Sequence, residues 1–481
     1  MADSLKQKTI SGVSWNFINQ VLSRGLSFVI GIVLARLLTP ADYGLIGMLG
    51  IFLALSQVFI DGGFASALIQ CQNRTEKDLA TVYLINIGMS IFLYLILFAT
   101  APLIARFYDQ PILTSLTRVF TLSLIISALS SVHGTLLTIR VDFKTKTFIS
   151  LIKAILTGTI AITCAYKGLG VWTLVIQGLS SAFFSVILSW IFVRWYPKTG
   201  FSKESFHKLF SYGSKLLAAS LISEIYNNIY PLVIGKTAGA TNAGLYSKAG
   251  HFPQLGSGVI TGMINRVAFP IFSQIQDDNP RLLRAYDKYI QFSCFIIFPI
   301  LMGICGCAKP LVILLLTAKW EACIPLMQIL CFASLFTGVT TINLNLLYVK
   351  GRSDLVLKLE IIKKSIAFAI LFATAFFGVT VMCYGQIVYS FIALFLNTIY
   401  TKKILNYGLW DQIKVMLPYL GISLIILAEG FGLCHFIQNN WIALGASVAL
   451  CSITYIALHA LLHTFAFTEA LSWLKTKKTK Q

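Results

Sequence analysis

The stretch VLARLLTPADYGL, residues 33–45, lies over VIGKTAGATNAGL, residues 233–245, without a gap at an offset of 200. Val33 falls on Val233, Arg36 on Lys236, Gly44 on Gly244 and Leu45 on Leu245. The same offset sets Gly62 on Gly262 and Asp78 on Asp278, and after a drift to about 208 the pair Gly170-Val171 meets Gly378-Val379. A membrane chain built twice from one plan tends to place its working surface between the copies. What fills the interval between them therefore decides the fold.

That interval is apolar. Of 481 residues, 57% are hydrophobic, 13% aromatic and only 12% charged, with a mean hydropathy of +0.79. A soluble fold carries about a quarter charged residues, so a soluble enzyme is excluded, and the wealth of Leu, Ile, Phe and Tyr excludes a disordered chain. Apolar stretches of about 20 residues predict fourteen spans, near 10–37, 43–68, 80–103, 113–137, 147–166, 169–193, 209–235, 249–273, 289–309, 323–348, 355–377, 379–401, 414–434 and 441–465. Strings this long satisfy their backbone groups internally as helices, not as barrel strands. Six spans separate the two copies, which gives them the same orientation and a pseudo-two-fold axis along the membrane normal. The expectation is an all-α integral membrane protein of about 14 transmembrane helices. Two parallel six-helix lobes, residues 1–200 and 201–407, face each other across a central cavity, and 408–481 adds spans 13 and 14 with a basic tail.

The net charge of +20, from 38 basic and 18 acidic residues, would point a soluble protein toward nucleic acid. Its distribution points elsewhere. With the N-terminus inside, 24 of the Lys and Arg residues fall in inner segments and 8 in outer ones, with Arg24, Lys153, Lys215, Arg266, Lys363 and Lys364 within spans. Both termini are therefore expected in the cytoplasm, and no nucleic-acid partner is expected. The opening MADSLKQKTISGVSWN has no short apolar core followed by a small-residue cleavage site, so the first span is expected to direct insertion itself. Of the ten cysteines, Cys164, Cys294, Cys331, Cys383, Cys434 and Cys451 sit in apolar runs and Cys305 and Cys307 are spaced C-x-C. No disulfide framework emerges, and they read as small packing residues.

On span 1, Asn16, Asn19, Gln20, Ser23, Arg24 and Ser27 fall within an arc of about 140° at helical spacing. Adding 200 gives Ser220, Ser223, Glu224 and Asn227 on span 7, again a polar stripe. Spans 1 and 7 are thus the expected cavity walls, with Asn16, Asn19, Gln20, Ser23, Ser220 and Asn227 as candidate substrate contacts. Arg24 and Glu224 are repeat equivalents near mid-bilayer, where a charge costs at least ~2.5 kcal/mol. Each needs water, a charged ligand or the other, so the pair is either functional or an ion pair holding the lobes together. Arg266 on span 8 is a further candidate. Asp61, in VFIDGGFAS, is either a coupling carboxylate or the cap of a helix break at Gly62-Gly63. Lys153 and Lys363 are equivalent at an offset of 210 but lie where they can snorkel, and Glu360 is spaced to pair with Lys363 or Lys364. Glu429 stands alone as a packing or lipid-edge residue.

Other motifs lose on inspection. Gly235-Lys236-Thr237 ends like a phosphate-binding loop, but position 230 is Tyr where that loop needs its first glycine. His459 and His463 are spaced i, i+4 without an acidic ligand or base, which favours an interfacial role over a metal. Asn73-Arg74-Thr75 is a glycosylation sequon in a loop expected in the cytoplasm, and Asp277-Asp278 reads as a solvated turn. No cofactor and no metal is expected.

With these residues placed, the chain resembles the Wzx-type oligosaccharide flippases, polysaccharide export proteins similar to the colanic acid exporters, within the multidrug/oligosaccharidyl-lipid/polysaccharide exporter superfamily. The resemblance rests on SGVSWNFINQVLSRGLSFVIGIVLARLLTPADYGLIGM (11–48), DGGFASALIQ (61–70), LVIGKTAGATNAGLYSKA (232–249) and INRVAFPIFSQIQDD (264–278), and extends to about residue 405. It implies a two-lobed, V-shaped transporter, not an enzyme, that carries a polyprenyl-pyrophosphate-linked oligosaccharide across the bacterial inner membrane by alternating access. Membrane lipid and the polysaccharide polymerase machinery are the partners it implies. Related lipid flippases carry cavity arginines on spans 1 and 8, which correspond to Arg24 and Arg266, whereas Glu224 departs from a purely cationic cavity and raises proton or sodium coupling. Two rivals share parts of this pattern. A multidrug efflux antiporter has the same fold but exports amphipathic cations, and a membrane glycosyltransferase or polymerase needs a long extracytoplasmic loop, longer than the roughly 15 residues available here.

Overall fold

The computed structural model describes residues 22–23 and 25–478, with side chains described as far as 472. It is helical throughout, with no strand among the described residues. The helices are α1 (Gly25–Leu37), α2 (Pro40–Asp61), α3 (Phe64–Gln70), α4 (Glu76–Tyr108), α5 (Ile112–Phe120), α6 (Leu122–Ala128), α7 (Ser131–Ile139), α8 (Phe143–Tyr166), α9 (Trp172–Val193) and α10 (Lys203–Gln274). There follow α11 (Asn279–Gly306), α12 (Ala308–Leu316), a 3₁₀ turn (Ala318–Cys323), α13 (Ile324–Ser334), α14 (Thr337–Val349), α15 (Ser353–Ala375), α16 (Val379–Leu405), α17 (Leu409–Phe436), α18 (Asn440–Leu461) and α19 (Phe465–Lys478). Among the described residues ten helical segments are long and apolar enough to cross a membrane, or eleven if the bent run Ile112–Ile139 is one span. The chain is a multi-pass, all-α membrane protein.

Local chemistry sets the boundaries. In LLTPADYG the Thr39 hydroxyl accepts from the Asp42 backbone N–H at 3.3 Å, while the Thr39 N–H donates to Asp42 Oδ2 at 2.8 Å. With Pro40 at the first helical position, this capping box supplies partners for helix-end donors that would otherwise have none. Thr75 and Asp78 repeat the device at the start of α4, and Asp278 caps α11 by accepting from the Arg281 N–H at 3.0 Å. Gly62 and Gly63, at φ 53° and 72°, end α2 and turn the chain into α3. The 72 residues of α10 are interrupted at Gly239, whose φ of 81° with ψ of 175° lies outside helical space and suits a residue without Cβ.

The described residues form two compact units, dividing between Gly244 and Leu245. The repeat and the packing thus cut the chain at different places, because the first arm of α10 seats on α2 and α3. The seat is made of glycines. A Cβ on Gly63 would stand 2.4 Å from the Gly213 carbonyl oxygen, and one on Gly235 2.7 Å from the Met48 side chain. Closest of all is the crossing of α2 with the residues after Gly239. A Cβ on Gly44 would lie 1.7 Å from the Ala240 carbonyl oxygen, and one on Gly244 would lie 1.8 Å from that of Pro40. Positions 40, 44, 240 and 244 are related by the 200-residue offset, so the contact is reciprocal.

In the second unit α11 packs along α17 around a core that includes Phe272, Tyr286, Phe298 and Met302. A buried polar network crosses this core. The Tyr286 hydroxyl donates to Asn343 Oδ1, Asn343 Nδ2 donates to Gln412 Oε1 at 3.2 Å, and Gln412 Nε2 donates to the Tyr286 hydroxyl at 2.9 Å and to Thr401 Oγ1 at 3.2 Å. Four helices share these bonds, each of which would otherwise leave a polar group unpaired in a dry interior.

Candidate functional site

The first arm of α10 carries Ser220, Ser223, Glu224 and Asn227 at helical spacing, with Ser220 and Asn227 exposed and Glu224 half-buried. Glu224 is held. Asn228 Nδ2 donates to its Oε2 at 3.0 Å and to its backbone carbonyl at 3.0 Å. Asn228 in turn stands over Gly50 of α2, its Oδ1 3.7 Å from where a Cβ of that glycine would be. Sequence reasoning passed over Asn228, although its i, i+4 relation to Glu224 was the available signal. Ser23 is half-buried. Asn16, Asn19, Gln20 and Arg24 lie outside the described residues.

Asp61 is half-buried at the break between α2 and α3, where Gly62 and Gly63 turn the chain, and α3 opens at Gly63 with no side-chain cap bond. In the second unit Arg266 is exposed on the second arm of α10. Its neighbour Asn265 accepts from Asn345 Nδ2 at 2.6 Å, with Asn345 largely buried on α14. These two asparagines, missed in the sequence because an isolated amide in a span carries no periodic signal, fix the helix face from which Arg266 projects.

Lys363, Lys364 and Glu429 have local partners. Lys363 is only 5% exposed and pairs with Glu360, which also lies 4.0 Å from Lys364; the predicted one-turn pairing is present. Burial this deep differs from the snorkelling expected of Lys363, because the carboxylate on the same helix supplies the counter-charge. Glu429 is bonded rather than alone, accepting from Thr454 Oγ1 of α18 at 2.9 Å. Gly235-Lys236-Thr237 is helical, with Lys236 bound to Asp109 at 2.9 Å. His459 is fully buried, not interfacial: its Nδ1 bonds Thr464 Oγ1 at 2.7 Å and its ring packs among Tyr455, Tyr419 and Phe295. All ten cysteines are free.

Taken as a fold, this arrangement is that of a multi-pass, all-helical membrane protein. It is similar to the solved structure "Lipid II flippase MurJ, inward closed conformation", with a TM-score of 0.75 at 14% identity over 94% of this chain and 99% of that one. The chain itself belongs to the family described as polysaccharide biosynthesis protein, which matches residues 33–325. It is 28% identical over 437 residues to the lipopolysaccharide biosynthesis protein WzxC of Escherichia coli, covering 87% of this chain and 88% of that protein. It is 25% identical over 334 residues to the succinoglycan biosynthesis transport protein ExoT of Rhizobium meliloti, covering 69% and 68%.

Proposed function

We propose that this protein flips a polyprenyl-pyrophosphate-linked oligosaccharide from the cytoplasmic to the outer leaflet of the bacterial inner membrane, for surface polysaccharide assembly. The observation that carries the proposal is membership of the polysaccharide biosynthesis family across residues 33–325, and the transporter-type fold agrees with it. A pyrophosphate and several sugars cannot cross hydrocarbon unaided, because each desolvated polar group costs several kcal/mol. Arg24 and Arg266 supply permanent charge and bidentate geometry for phosphate, and Ser220, Asn227 and the amides of span 1 supply hydrogen bonds for sugar hydroxyls. The polyprenyl tail stays in lipid. Glu224 is the candidate counter-charge to Arg24 or the coupling carboxylate, with Asp61 the next carboxylate to consider.

The proposed topology has fourteen spans and both termini in the cytoplasm. Three features carry the eleven apolar segments to fourteen: the Gly239 break in α10, the apolar helix Gly25–Leu37, and α15, whose charges are concentrated in its first half. The reciprocal contact of Gly44 and Gly244 supports a two-fold relation between the repeats. The test of function is the content of lipid-linked intermediates in a deletion strain, read by mass. Complete, unpolymerised units should accumulate on the cytoplasmic side. Normal polymer with altered drug susceptibility would point instead to an amphipathic-cation exporter, and a shortage of complete units to an enzyme.

A further inference from the structure

We propose that the groove between α16 and α17 binds an anionic two-chain phospholipid, its headgroup on Lys402 and Lys403 and one acyl chain in an aromatic slot. Two cavities meet here. One, of about 460 Å³, is almost wholly apolar, with Phe391, Phe395, Leu417 and Leu420 in its walls. The other, of about 560 Å³, is lined by Lys402, Lys403, Asn406, Trp410 and Asp411. Phe395 and Leu409 belong to both, so the apolar slot continues into the basic mouth.

Dimensions select the occupant. From Lys402 to Phe391 is eleven residues of α16, about 16 Å along a helix, and from Trp410 to Leu420 is ten residues of α17. Both match half of a hydrocarbon core about 30 Å thick, the depth of a single leaflet. Phe391, Phe395, Trp410 and Leu417 are each more than half exposed, so an apolar chain has a wall to lie against. At the mouth the two ammonium groups stand on the last turn of α16. Two ammonium groups against the one carboxylate there, Asp411, whose Oδ2 accepts from the Gly408 N–H at 2.8 Å, leave a net positive rim. Trp410 has the amphipathic ring suited to the headgroup depth. A basic pocket between spans next to a leaflet-deep apolar slot is complementary to an anionic phospholipid, and it is built from residues that the transport reading does not use.

The test uses the detergent-purified full chain titrated with phosphatidylglycerol, or with phosphatidylcholine of identical acyl chains, with bound lipid counted by native mass spectrometry. Phosphatidylglycerol should be retained preferentially. Replacing both Lys402→Ala and Lys403→Ala should cut that retention by about ten-fold or more, as two lost headgroup charges imply. Phe395→Trp, which narrows the slot and keeps both lysines, should reduce retention of both lipids. Equal retention of the two lipids, or unchanged phosphatidylglycerol binding in the double variant, would overturn the proposal. So would displacement of phosphatidylglycerol by an equimolar long-chain polyprenyl phosphate, which would assign the groove to the carrier lipid instead.

Discussion

The crossing of α2 with the segment after Gly239 makes a quantitative demand on two residues. An alanine at position 44 puts its Cβ 1.7 Å from the Ala240 carbonyl oxygen, and one at 244 puts its Cβ 1.8 Å from that of Pro40. Neither neighbour is a side chain that can turn away. Both backbones must separate by more than 1 Å before an ordinary contact is restored, and overpacking of this kind costs about 1–3 kcal/mol. Gly44→Ala and Gly244→Ala should therefore each lower the thermal midpoint of the purified protein. Because each substitution pushes apart the same two segments, the second Cβ enters a gap the first has opened. The double variant should fall short of the sum of the singles by about 1 kcal/mol. Gly88→Ala on α4, where an added Cβ meets nothing within 4 Å, is the control and should be neutral or slightly stabilising. Thermal unfolding followed by intrinsic fluorescence on the four variants gives the comparison. Singles indistinguishable from Gly88→Ala, or a double variant that is simply additive, would refute a shared crossing.

Arg24→Ala and Arg266→Ala should each abolish surface polysaccharide with protein abundance near normal, and Arg→Lys should rescue only in part because the bidentate fork is lost; full polysaccharide in either alanine variant removes that residue from the site. Glu224→Gln should abolish the pH dependence of flipping in proteoliposomes while binding persists, and wild-type pH dependence in that variant would move the question to Asp61. Tyr286→Phe should destabilise the protein by about 1–3 kcal/mol, since Asn343 and Gln412 each lose a buried partner, and an unchanged thermal midpoint would refute the shared network. Reporter fusions after residues 74, 142, 281 and 480 should all report the cytoplasm; a periplasmic signal at 142 or 281 would break the repeat-based topology.

Where the sequence spoke clearly, it did so through features local to a few residues. The 200-residue offset carried the reciprocal glycine crossing, Asp61-Gly62-Gly63 announced a helix break, and Glu360 lay one turn from Lys363. The segment 113–137 read as one span because its breaks fall at Thr121 and Leu129-Ser130, which lack the glycine or proline that normally marks an interruption. α10 gave the opposite difficulty, since 235–249 looks like a connection yet is helical on both sides of Gly239. Asn228, Asn265 and Asn345 were silent because a lone amide among apolar residues has no period. His459 misled for a related reason: its ring neighbours Tyr419 and Phe295 come from elements far apart in the chain, so its enclosure exists only once they have packed.

The hydrogen-bonded ring of Tyr286, Asn343, Thr401 and Gln412 also constrains the order in which the chain can be made. Synthesis delivers α11 and α14 to the bilayer well before α17, and until Gln412 arrives the Asn343 amide lacks the acceptor it has in the finished protein. The nascent second unit is therefore an unfinished assembly through some seventy residues of elongation between Asn343 and Gln412, dependent on water, an insertase or a makeshift partner to cover those groups. A chain that stopped after α16 would carry that debt permanently. α17, which looks from the repeat like an appendage to a twelve-helix plan, is the piece whose arrival completes the second unit.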